Sequence, residues 1–86
     1  MMVIVTSDGT RTNGDWWSTL SRTGREVTLS DGEEGPSLLV AECVDESEAV
    51  ELFKALNRAI RLSFPRFDAV RWLAERSAVA SAEASL

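Results

Sequence analysis

All five glycines of this 86-residue chain fall within its first 35 positions, each beside a second turn-former: Asp8-Gly9, Asn13-Gly14, Thr23-Gly24, Asp31-Gly32 and Gly35-Pro36. Glycine reaches the backbone conformations that tight turns need, and asparagine, aspartate and proline favour the neighbouring positions. Signals this closely spaced leave room between them for strands and not for helices. The intervening runs have strand character. Residues 2–6 are apolar and β-branched, and residues 16–21 and 26–30 flank the Arg22-Thr23-Gly24-Arg25 turn as the arms of a hairpin would. In the second arm Val27 and Leu29 alternate with Glu26, Thr28 and Ser30, the period of two expected when one face of a strand is buried. Residues 37–44 form the longest apolar run of this half and read as the central strand.

From Asp45 onward the periodicity changes. The Asp45 carboxylate can cap a helix N-terminus, and Glu48, three residues on, can return the favour as a capping box. The helix that follows, about 46–63, places Ala49, Leu52, Phe53, Leu56, Ala59 and Ile60 on one face and Ser47, Glu51, Lys54, Arg58 and Arg61 on the other. Pro65 ends it, because the residue before a proline is pushed out of the helical region. A second helix, about 67–80, can begin near Pro65 or Asp68 and aligns Ala69, Trp72, Leu73, Val79 and Ala80, with Arg76 set into the middle of that stripe. The Ala/Ser-rich tail, residues 77–86, either prolongs this helix or frays. The expected architecture is α+β: an antiparallel meander of three to four strands followed by two helices packed on one face, with no later strand and hence no βαβ unit.

A chain this short has one hydrophobic core, and the single cysteine, Cys43, rules out an internal disulfide. Small cores are marginal, so a partner or self-association is expected. The N-terminal apolar run is too short for a secretory signal, no stretch approaches the roughly 20 apolar residues of a membrane span, and an unpaired cysteine suits a reducing compartment. These features point to the cytosol.

Chemistry is narrowed in the same way. Histidine is absent, which removes the commonest general base and the commonest zinc ligand, and Cys43 has no histidine to activate it as a nucleophile. No glycine pattern that cradles phosphate occurs. Asp31, Glu33 and Glu34 are acidic neighbours, but their spacing is not that of a calcium loop and a solvated turn is the simpler reading. Neither a catalytic residue nor a metal or cofactor is expected.

What remains is an uneven charge distribution and three tryptophans. Between Glu26 and Glu51 there are nine acidic residues and no basic one, whereas Lys54 to Arg76 carries six basic residues against Asp68 and Glu75, within a net charge of −5. Helix electrostatics accounts for Glu46, Glu48, Lys54, Arg58 and Arg61, and Glu51 can pair with Lys54. Asp31, Glu33, Glu34 and Glu42 on the strand side, and Arg66, Arg71 and Arg76 beyond the proline, are left as candidates for partner contact. Trp16 and Trp17 are adjacent, so on a strand one of them points away from the core and becomes a candidate contact residue. Trp72 and Arg76 lie one helical turn apart and can stack as a cation-π pair or meet a second chain.

Three partners follow. The first is a protein, basic in character, bound by the acidic patch and the spare tryptophan, as a small acidic inhibitor of a nucleic-acid-binding protein would do; phage-encoded inhibitors of host defence are a type of this size and acidity. The second is nucleic acid, held by Lys54, Arg58, Arg61, Arg66 and Arg71 against the repulsion of the net charge. The third is a second copy of the chain, as a homodimer or assembly subunit.

Overall fold

The turn-rich half of the chain folds into two small sheets, and the computed structural model describes the backbone of residues 2–32 and 34–84, with side chains as far as Arg76. Strands β3 (Thr19–Thr23), β4 (Glu26–Ser30) and β5 (Ser37–Glu42) make the expected antiparallel meander, but in the order β3-β4-β5, so β4 and not the 37–44 run is its central strand, and the first arm begins at Thr19 rather than at residue 16. Val27 and Leu29 of β4 are buried and their neighbours face outward, as the alternation requires. Gly24, with φ at 57°, closes the β3–β4 hairpin where a side chain would be strained. The β4–β5 register slips by one residue between Val27 and Thr28, so that Val27 faces Ala41 while Thr28 faces Leu39. Val40 is the extra residue of this bulge. Consecutive Val40 and Ala41 are therefore both buried, and the Val40 carbonyl accepts the Ser7 amide at 2.7 Å, joining this sheet to the end of β1.

Strand β1 (Val3–Val5) belongs to the second sheet, paired antiparallel with β2 (Arg11–Asn13) and parallel with β6 (Arg66–Asp68). The sequence places residues 67 and 68 in the first turn of a helix and expects no strand after the first helix. Three residues are too few to display a period, and Pro65 supplies what the pattern hides: it keeps the chain extended, and its carbonyl accepts the Val3 amide at 3.0 Å. A short parallel ladder with β1 follows directly.

Helix α1 (Glu46–Arg61) is capped as expected at Asp45, whose carboxylate accepts the Glu48 amide at 2.7 Å. Glu48 reaches back one residue further than a standard capping box, to the Val44 amide at 3.3 Å. Ala49, Leu52, Leu56 and Ala59 are buried against β3 and β4, with Phe53 packed beside them, while Ile60 stays 40 % exposed at the end of the stripe. The helix stops in a Schellman turn: the Phe64 amide donates to Ala59 at 2.9 Å and the Ser63 amide to Ile60 at 3.2 Å, with Ser63 at φ 56°. Glycine is the residue that this left-handed position favours. Ser63→Gly should therefore raise stability by about 0.5–1 kcal/mol, read as an upward shift of a few degrees in melting temperature, and Ser63→Ala should give no gain.

Helix α2 (Ala69–Ala84) starts from Asp68, whose carboxylate accepts the Arg71 amide at 3.1 Å. That amide, together with the Arg66 guanidinium, holds the Asp68 carboxyl below its ordinary value. Ala69 is buried, and Trp72 and Leu73 are half-buried against the core. Val79 and Ala80 continue the helix, but their side chains lie outside the described residues. No helix among the described residues is long and apolar enough to cross a membrane.

Candidate interaction surface

The tandem tryptophans lie in a 3-10 turn (Gly14–Trp16) and its cap, not on a strand. Asn13 caps the turn by accepting the Asp15 amide at 2.9 Å, and the Gly14 amide donates to Met2 at 2.8 Å. Gly14 packs so closely on β1 that a Cβ there would stand 3.0 Å from Ile4 Cδ1. Glycine thus lets the turn sit flat on β1. The two rings then diverge. Trp17 packs against the core and donates its indole N–H to Thr12 Oγ1 at 3.0 Å, whereas Trp16 is 71 % exposed. One tryptophan does stand outside the core, through turn geometry rather than strand alternation.

Around this turn the surface mixes exposed apolar side chains with polar ones. Trp16 lines an open cleft of about 280 Å³ with Val3, Arg11, Thr12 and Asn13. On the other flank Gly14 and Asp15 line a cleft of about 190 Å³ with Met2, Ile60, Ser63 and Phe64. Ile60, Leu62 and Phe64 are each 40–56 % exposed. Leu62 leads on to a groove of about 640 Å³ along α1, lined by Lys54, Asn57, Arg58 and Arg61. The cluster gathers at the Schellman turn, where three of the five residues 60–64 are exposed and apolar. Sequence periodicity misses it by assigning Ile60 to the buried face; the signal available was the apolar crowding of residues 60–64 just before Pro65.

The charged candidates separate into groups with and without counter-ions. Glu42 pairs with Arg25 at 3.3 Å and Glu46 with Arg22 at 3.2 Å. Arg66 pairs with Asp68 at 3.2 Å and Arg71 with Glu75 at 2.9 Å; these four residues share a cleft of about 510 Å³ with Phe67 and Trp72, in which the charges cancel. Arg76 lies 5.4 Å from the Trp72 ring and binds Glu48 at 3.6 Å and Glu51, so the cation within the apolar stripe of α2 is taken up by α1 of the same chain. Glu51 is thereby diverted from Lys54. Asp31 and Glu34 are exposed in the β4–β5 turn, where Asp31 accepts a 3.4 Å bond from the Ser18 hydroxyl; Glu33 lies outside the described residues. Among the described residues, the cations without an ion-pair partner are Arg11, Lys54, Arg58 and Arg61.

Two ionisations are displaced away from this surface. Asp8 is held down to about 2 by the hydroxyl and amide donors of Thr6 and Thr10. Burial, reinforced by Glu48, pushes the Cys43 thiol up to about 11, so it stays protonated and is a poor nucleophile. Among the described residues no cluster of three or more potential ligands could hold a metal ion, and no buried side-chain nitrogen or oxygen lacks a hydrogen-bond partner. No protein-family model matches the chain, and no curated protein or solved structure matches it.

Proposed function

We propose that this chain acts by binding another protein, without catalysis of its own, through the end of the molecule that carries Trp16. The observation behind this reading is the 71 % exposure of Trp16 on a turn pinned to β1 by Asn13 and Gly14. A turn already held in place loses little backbone freedom on binding, and tryptophan is enriched at binding hot spots. Ile60, Leu62 and Phe64 are further exposed apolar residues, and Ile60 and Phe64 share a cleft with Gly14 and Asp15 of the same turn. A role as an acidic mask for a basic partner fits within this reading, with Asp15, Asp31 and Glu34 as carboxylates that have no ion-pair partner among the described residues. Nucleic-acid binding is supported less well, since Arg66 and Arg71 of the basic stripe are engaged by Asp68 and Glu75.

Affinity capture from extracts of the native host, with the wild-type chain and Trp16→Ala side by side, tests the reading. The variant should keep its fold by circular dichroism and lose the captured protein. An unchanged set of bound proteins would count against the Trp16 surface.

A further inference from the structure

The solvent side of α1 carries one sign of charge. Lys54, Asn57, Arg58, Arg61 and Leu62 line the groove of about 640 Å³ and are spaced i, i+3, i+4, i+7 and i+8, so they form one stripe opposite buried Leu52 and Leu56. Lys54, Arg58 and Arg61 are exposed, and Leu62 is 56 % exposed at the end of the stripe. Among the described residues no carboxylate lines the groove, and none of its three cations has an ion-pair partner. The fold itself keeps the stripe cationic: Glu51, one turn before Lys54 and its natural counter-ion, is taken by Arg76 of α2. The helix macrodipole favours Arg58 and Arg61 in the last turn but fades before Lys54, about two turns from the helix end. The Lys54 charge therefore has no answering group in α1.

We infer that this groove docks an acidic helical segment of another protein, laid along α1 with carboxylates facing Lys54, Arg58 and Arg61 and an apolar side chain against Leu62. The inference needs only α1 and is independent of Trp16. Charge complementarity sets the sign of the occupant, and spacing sets its shape. Successive cations lie about 6 and 4.5 Å apart along the helix axis, which carboxylates at i, i+3 or i+4, and i+7 of a second helix reproduce. Same-side residues of an extended chain recur every 6.6 Å or so and fall out of step. The aliphatic stems of the lysine and arginines add apolar contact beside Leu62. Nucleic acid is a poorer fit: a long polyanion meets the repulsion of the net charge of −5, whereas a short segment meets chiefly the groove, and no aromatic ring lines it for a base to stack on. A bilayer fits poorly as well, since Leu62 is the one large apolar side chain that the groove offers for insertion.

The test uses the full chain and fluorescence anisotropy, with a labelled, stapled helical peptide of alanine that bears a stripe of glutamates at helical spacing flanked by leucine. The peptide should bind in the micromolar range at low salt and severalfold more weakly as salt is raised, and its lysine counterpart should not bind. Lys54→Gln/Arg58→Gln should weaken binding at least about tenfold. Arg25→Glu, which changes the net charge equally but lies in the β3–β4 hairpin, should keep the affinity within about twofold; circular dichroism confirms that both variants are folded. An acidic peptide that fails to saturate at millimolar protein overturns the inference, as does equal weakening by the two variants, which would make the effect one of net charge. An unstapled peptide of the same composition interrupted by proline should bind severalfold more weakly, and equal binding would overturn the helical occupant. Tighter binding of a single-stranded oligonucleotide, or of phosphatidylserine-containing vesicles, that is lost in Lys54→Gln/Arg58→Gln would assign the groove to that class instead. None of these failures bears on Trp16-dependent capture, which is read separately.

Discussion

Trp17→Ala should destabilise the protein by about 2–3 kcal/mol, whereas Trp16→Ala, its neighbour, should change stability by no more than about 0.5 kcal/mol. Truncating a fully buried tryptophan costs about 3–5 kcal/mol. Trp17 is half-buried, so the lower part of that scale applies; its ring packs on the core and its N–H is the side-chain link to Thr12 of β2. Removing it opens a gap beneath the 3-10 turn and frees β2, which is only three residues long, from one of its attachments. Trp16 contributes no comparable packing at 71 % exposure. For a domain with total stability on the order of 5–10 kcal/mol, the first loss lowers the urea midpoint strongly and the second barely moves it. Trp17→Phe separates the two contributions of the ring: it keeps most of the packing, removes the indole N–H, and should cost about 1 kcal/mol. Equal destabilisation by Trp16→Ala and Trp17→Ala would show that both rings support the fold, and would remove Trp16 as a dedicated contact residue.

The features that a short window of sequence can encode were the ones that could be read from it. Turn chemistry located the β3–β4 hairpin, alternation identified the buried face of β4, and the Asp45 cap with the 3.6-residue period located α1 and its core face. The α+β class follows from these elements. The second sheet was not legible, because β2 and β6 have three residues each and are held by backbone partners distant in sequence: Met2 for Gly14 and Val3 for Pro65. The candidate site divides along the same line. The exposure of one tryptophan was foreseeable from adjacency. Which one was not, since a 3-10 turn seated against Ile4 decides it. Charge bookkeeping along the chain overstated the free acidic surface, because Glu42, Glu46, Glu48 and Glu51 are neutralised by arginines 17 to 28 residues away, as with Arg25–Glu42 and Arg76–Glu48.

Arg76→Ala should cost about 2 kcal/mol and should loosen α2 selectively, seen as faster amide exchange from Trp72 onward while α1 and the β3–β4–β5 sheet keep their protection. Three contacts meet at this guanidinium. Its stacking on Trp72 is worth about 0.5–1 kcal/mol. Its pair with Glu51, whose side chain is 49 % exposed, adds little on its own. The pair with Glu48 matters more, because that carboxylate is only 16 % exposed and would lose its counter-ion while still tied to the Val44 amide. Arg76→Met should therefore retain part of the loss: the methionine stem covers Trp72, but Glu48 remains unpaired. Adding Glu48→Gln should recover stability in the Arg76→Met background, since glutamine carries no charge to desolvate and still presents a carbonyl to Val44. If Glu48→Gln instead destabilises wild type and the Arg76→Met variant equally, the two side chains are energetically independent, and among the described residues α2 is held by Ala69, Trp72 and Leu73.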